Sequence, residues 1–158
     1  MKKVIAVVIG FCVLVCFFAV LIVFLTSASS SMHLEIPFES SDIESVEMFH
    51  YVNPTGAEKK VITEQTDIQS LTDTLESISL KDRETEPVAG GSVTSFRFHS
   101  LDGTVYEVIY SSIAVKAGRI KFTGSEKDYF TAADLGACWN NYDSAIMHAD
   151  EKEMPALY

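Results

Sequence analysis

The residues best suited to metal or acid–base chemistry in this sequence are its four histidines, at positions 33, 50, 99 and 148. His50 and His99 both fall in segments with strand periodicity, so pairing of those strands can bring them together across a sheet. Two imidazoles without carboxylate help are too few for a zinc site, which draws three or four ligands from the protein. His33 lies in a serine-rich leader and His148 in an acidic C-terminal stretch. No Cys-x-x-Cys pair stands at ligand spacing. The expectation is no metal site and no cofactor.

Nucleophilic catalysis needs a Ser or Cys beside a base and an oxyanion hole. The chain has no Gly-x-Ser-x-Gly, and Cys138 has no histidine near it in sequence. Trp139 beside Cys138 points to packing. Gly90-Gly91 belongs to no phosphate-cradling pattern. Glu84 and Glu86 resemble a carboxylate pair, but they sit in a charged stretch with no pocket signature and read as solvated loop. No catalytic residue is assigned, and the chain is expected not to be an enzyme.

The apolar positions define the elements that would carry any site. Val46, Met48, His50 and Val52 alternate with Glu47, Phe49 and Tyr51, a strand over 46–52. Asn53-Pro54-Thr55-Gly56 signals a turn into a second strand over 59–63. The period then changes: Ile68, Leu71, Leu75 and Ile78 predict an amphipathic helix over about 64–79, with Thr66 to Gln69 in capping-box form and Thr63 as an alternative cap. Residues 81–91 read as a mobile loop.

Between Val93 and Phe122 the register can be derived. A three-residue loop, Leu101-Asp102-Gly103, sets Phe98 against Tyr106, Phe96 against Val108 and Arg97 against Glu107. A two-residue loop would oppose Phe98 and Glu107. Gly103 then takes the left-handed conformation. The apolar parity changes from 106/108/110 to 113/115, which predicts a β-bulge at Ser111-Ser112. A further turn at Ala117-Gly118 would pair Val115 with Ile120 and Ile113 with Phe122. Tyr129-Phe130 adds a short strand. Residues 131–142 predict a short final helix with Leu135, Cys138, Trp139 and Tyr142 inward, and 146–158 a frayed acidic tail. The stripe Phe96, Phe98, Tyr106 and Tyr110 reads as core. Phe49 and Tyr51 face the other way, so helices on one face alone would leave an exposed aromatic patch there.

Location follows from the N-terminus. Val4 to Leu25 is 22 residues without a charge. As a helix it spans roughly 33 Å, enough for a bilayer core of about 30 Å. Lys2 and Lys3 precede it and no charge follows until Glu35, which places the N-terminus in the cytoplasm and the rest outside. Cleavage after Thr26-Ser27-Ala28, giving a secreted domain, is the alternative. Ala6 and Gly10, four apart, are small enough to support helix pairing in lipid. Of 12 Lys and Arg, two precede the span, which leaves 10 against 22 acidic residues, a formal charge of −12. Such a surface repels nucleic acid and attracts basic peptides or cations.

The outer part resembles small extracytoplasmic domains of unknown function from Gram-positive bacteria. The resemblance rests on the lone anchor, the strand Ser45-Val46-Glu47-Met48-Phe49, and Val61-Ile62-Thr63 leading into Asp67-Ile68-Gln69-Ser70-Leu71. It extends to Ser95-Phe96-Arg97-Phe98 with the glycine turn Leu101-Asp102-Gly103-Thr104, and covers about 43–123. It implies location and fold, and brings no catalytic residues.

The expected organisation is cytoplasmic lysines and transmembrane anchor over 1–25, a Ser-rich tether over 26–42, an extracytoplasmic α+β domain over 43–145, and a flexible acidic tail over 146–158. The domain is an antiparallel sheet with one main helix and a short C-terminal helix on one face. The expected role is that of a plasma-membrane-tethered, non-catalytic binding or accessory module with a cell-surface protein or peptide as partner. A small-ligand or cation sensor, using the acidic loop 82–86 and a sheet face, is the other reading.

Overall fold

The computed structural model describes residues 32–86 and 90–155, all within one compact unit. The expected anchor, its Ala6/Gly10 pair and residues 26–31 of the expected tether lie outside the described residues. Among the described residues, no helix is long and apolar enough to cross a membrane.

The strands are β1 (Met32–His33), β2 (Ile43–Tyr51), β3 (Glu58–Ile62), β4 (Ser79–Lys81), β5 (Val93–Ser100), β6 (Val105–Ala114), β7 (Ala117–Phe122), β8 (Tyr129–Thr131) and β9 (Met147–His148). Among the described residues, one α-helix, α1 (Gln65–Glu76), follows β3. The nine strands form a single sheet in the order β1-β4-β8-β7-β6-β5-β2-β3-β9, and its pairings are antiparallel. This is an α+β domain.

Strand alternation sorts the side chains onto two faces. Val46, Met48, Phe96, Phe98, Val108, Tyr110 and Ile120 lie on one face, and Ile68, Leu71 and Leu75 of α1 close over them in one buried cluster. Burying each such side chain contributes about 1.5–3 kcal/mol. Leu135, Cys138, Trp139 and Tyr142 join the same cluster, so their inward orientation is as the sequence suggests. Their backbone differs: Gly136–Asn141 is a 3₁₀ helix, not an α-helix. Six residues containing a glycine are too short to repay α-helix nucleation.

Helix α1 is shorter than its periodic stripe. Ile78 is buried but lies beyond the helix, leading into β4. Glu64 is the N-cap, with no side-chain capping bond. The capping box expected at Thr66 is not formed, because Thr66 already lies inside the first turn. Buried Thr72 is satisfied by donating its hydroxyl to the Ile68 carbonyl at 2.9 Å.

The β5–β6 register matches the derivation. Phe96 faces Val108, Arg97 faces Glu107 and Phe98 faces Tyr106. Gly103 has φ +85° and donates its N–H to the Ser100 carbonyl.

The β6–β7 hairpin corrects the sequence reading. Tyr110 pairs with Ile120 and Val108 with Phe122, and the irregularity lies between Ser112 and Ala114, later than Ser111-Ser112. The turn is at Val115-Lys116, where Lys116 has φ 54°. Val115, taken as a core partner of Ile120, is 90% exposed. Gly118 is a strand residue that makes room for the Tyr110 ring. A glycine required by a neighbour's bulk looks the same in sequence as one required by a turn.

Both ends of the folded region extend past the boundaries of 43 and 145. In the segment expected as tether, β1 pairs with β4, and Leu34 and Ile36 are buried. Strand β4 takes the end of the segment read as helix and the first residue, Lys81, of the segment read as loop. In the segment expected as frayed tail, β9 pairs with β3, Ala149 is buried, and Glu151–Glu153 forms a 3₁₀ turn closed by reciprocal Asp150–Glu153 bonds. This C-terminal segment covers Phe49, which is 0% exposed with Ala57, Ala149, Tyr51 and Met154 around it. The bare aromatic patch expected on the second face is therefore not formed at Phe49. Val52, counted as a strand position, lies past the end of β2 and is exposed.

Candidate functional site

A groove of about 690 Å³ lies between α1, residues 36–42 and the β5–β6 loop. Its position follows from how the N-terminal segment docks. Phe38 packs edge-on against Tyr106 at 6.5 Å between ring centres, and the Tyr106 hydroxyl donates to the Glu35 carbonyl at 3.2 Å. The Ile36 N–H donates to Glu76 Oε1 at 3.2 Å. The Ser100 hydroxyl and the Leu101 N–H both donate to the Asp42 carbonyl, at 3.1 and 2.8 Å. Gln65 and Gln69 of α1 bond to Ser40. These contacts hold two walls apart and leave the groove between them.

Five carboxylates line the groove, from Glu39, Asp42, Asp73, Glu76 and Asp102, and no Lys or Arg does. The Thr104 N–H donates to Asp102 at 2.8 Å and holds that carboxyl below its ordinary range. Among the described residues, no group of three or more His, Cys, Asp or Glu is placed to hold a metal ion. Five acids without a cluster of three in metal-holding geometry suit several separate cationic groups better than a single ion.

Across the sheet, the second face carries a row of paired charges. Glu47 receives Arg97 Nη1 at 3.2 Å and Lys59 Nζ at 3.5 Å, and His99 Nε2 lies 3.2 Å away. Arg97 also meets Glu107 at 3.0 Å, and Lys59 meets Glu153 at 2.5 Å. Burial opposes ionisation of Glu47, but His99, Lys59 and Arg97 outweigh it and hold the carboxyl below its usual range. Arg97 and Lys59 lie over the Phe49 ring at 4.9 and 6.0 Å. With each charge answered by a neighbour, the network ties the C-terminal segment to the sheet.

The four histidines do not assemble. His50 lies on the helix-covered face, stacked on Trp139 at 5.5 Å, with Nδ1 2.9 Å from Thr94 Oγ1. His99 lies on the opposite face beside Glu47. Their parities differ, so pairing of β2 with β5 separates them instead of joining them. His33 and His148 occupy the two outermost strands, at opposite edges of the sheet. Burial pushes the buried Cys138 thiol up in pKa, and no disulfide involves it. Glu84 and Glu86, in the loop weighed as a cation site, are exposed and do not line the groove.

Sequence reasoning missed the groove acids. Asp73 and Glu76 stand three apart on α1, to one side of the buried stripe, a spacing that places them side by side. Glu39, Asp42 and Asp102 come from two other segments, and only the docking of the expected tether brings them there. No protein-family model, curated protein or solved structure matches this chain.

Proposed function

We propose that this chain is a membrane-tethered, extracytoplasmic binding module without catalytic activity, and that its acidic groove takes a basic peptide segment of a cell-surface partner. The observation that carries the reading is the groove itself: five carboxylates, no basic side chain, and about 690 Å³ of space beside the docked segment 36–42. A formal charge of −12 outside the anchor steers a cationic partner toward it. The 22-residue uncharged stretch behind two lysines supports the tether and its orientation. Resemblance to small extracytoplasmic domains of Gram-positive bacteria is part of the same proposal.

Protease treatment of intact cells tests the topology. The reading expects residues from about 32 onward to be accessible, leaving a short protected fragment that contains the anchor. A chain protected along its whole length until the cells are lysed would overturn it.

A further inference from the structure

The second sheet face holds a separate pocket of about 300 Å³, away from the acidic groove and independent of it. Antiparallel pairing builds it in two adjacent rows. Tyr51, Val93, Ser111 and Arg119 align across β2, β5, β6 and β7, and Phe49, Ser95, Ile109 and Lys121 form the next row. The C-terminal segment covers the β2 end of these rows and brings buried Pro155 to the pocket wall. Asp128, just before β8, closes the other side. The pocket therefore has an apolar floor, Val93, Ile109 and Pro155, and cationic groups at its β7 side.

Two features set this pocket apart from the rest of an acidic surface. Arg119 is only 21% exposed, and its Nη2 donates to Asp128. Its Nε is buried with no acceptor among the described residues. Because that Nε has essentially no accessible surface, a ligand in the pocket meets the more exposed part of the Arg119 side chain, and it reaches Nε only if the side chain shifts. Lys121 also lines the pocket, and no carboxylate among the described residues pairs with it. The pocket's formal charge is thus +1, from Arg119 and Lys121 against Asp128.

We propose that this pocket is a binding site for a small organic monocarboxylate with a compact apolar body. A carboxylate offers planar acceptors that suit the Arg119 guanidinium, with Lys121 as the second charge. One negative charge neutralises the pocket. A dianionic phosphate would leave excess negative charge in a partly buried site of an already acidic domain. The ligand body rests on Ile109, Val93 and Pro155. A volume of about 300 Å³ corresponds to roughly ten water-sized units, which limits the ligand to about ten heavy atoms.

The test uses the full chain in detergent micelles with isoleucine methyl groups labelled for NMR. Ile109 reports on the pocket, and Ile120, buried on the opposite face, serves as control. The probes are benzoate and its uncharged analogue benzamide. The proposal expects benzoate to shift the Ile109 methyl saturably while Ile120 stays still. Benzamide should bind roughly tenfold or more weakly, and Lys121→Gln should weaken benzoate by roughly fivefold or more while the free variant melts like the parent. Arg119→Gln should abolish the shift. If that variant fails to fold, Lys121→Gln alone decides. An Ile109 methyl unmoved by benzoate, or moved equally by benzamide, or equally in Lys121→Gln, would overturn the proposal.

Discussion

The buried ring of Tyr110 occupies the space in which a side chain at position 118 would begin. A Cβ built on Gly118 falls 2.5 Å from the Tyr110 Cζ and 2.9 Å from the Ser111 carbonyl oxygen. The ring is 1% exposed, so moving it disturbs its core neighbours. Gly118→Ala is therefore expected to destabilise the domain by about 2 kcal/mol or more through overpacking. Denaturant unfolding of the variant and the parent measures it. A change below about 0.5 kcal/mol would mean that the ring is free to relocate.

Lys60 pins the 3₁₀ segment. Its buried ammonium donates to the carbonyls of Trp139 at 2.8 Å and Tyr142 at 2.9 Å, and lies 4.7 Å from the Trp139 ring centre. Lys60→Met removes both donors and leaves two carbonyls short of partners, at a cost of about 2–4 kcal/mol. Cys138 sits in that segment, 5% exposed. With Cys12 and Cys16, the two cysteines of the uncharged stretch Val4 to Leu25, replaced by serine, the Cys138 thiol should react slowly with a disulfide reagent in the parent and much faster in Lys60→Met. Equal rates would show that Lys60 does not hold the segment.

His50 sets a pH dependence whose sign is fixed. Burial against Trp139 holds its pKa below the ordinary 6.5, with nearby Glu58 opposing in part. Between the folded pKa and 6.5 the unfolded chain binds the proton and the folded chain does not. Stability is thus full above 6.5 and falls as pH drops from there toward the folded value. His50→Gln should flatten the melting temperature over that range. Glu47 acts lower down: its depressed carboxyl contributes stability that is present above the ordinary 4.5 and lost as pH falls through its folded value. Persistence of the slope below pH 6.5 in His50→Gln would assign it to another group.

Ser95 presents the opposite case to Lys60. Its side chain is fully buried on the second face, and the hydroxyl has no partner among the described residues. Ser95→Ala removes an unsatisfied polar atom and should stabilise the domain by about 1 kcal/mol. A loss of stability would show that the hydroxyl is bonded.

The sequence was most legible where two independent patterns agreed. Between β5 and β6, the apolar pairs and the Arg97–Glu107 charge pair select one register, and the structure has it. The helix stripe at Ile68, Leu71 and Leu75 was equally plain. Where one residue served a partner far along the chain, the pattern misled. Gly118 reads as a turn because nothing local to it reveals the Tyr110 ring. Strands β1, β4 and β9 have two or three residues, too few to show a period of two, so the segments at both ends read as tether and tail. The groove depends on those ends. Its acids were visible as charge but not as a site until residues 36–42 docked against α1. The basic alternation at Arg119 and Lys121, either side of buried Ile120, was present in the sequence and marks the second face.

The central claim is that the acidic groove recognises a basic peptide. Its most direct test is fluorescence anisotropy of a labelled lysine-rich peptide with the full chain in detergent, at about 0.05 M and about 0.5 M salt. The account predicts saturable binding that weakens about tenfold or more at the higher salt. Binding should be lost in a Glu39→Gln, Asp42→Asn, Asp73→Asn triple variant that melts like the parent. Equal affinity in that variant, or equal binding of a glutamate-rich control peptide, would contradict it.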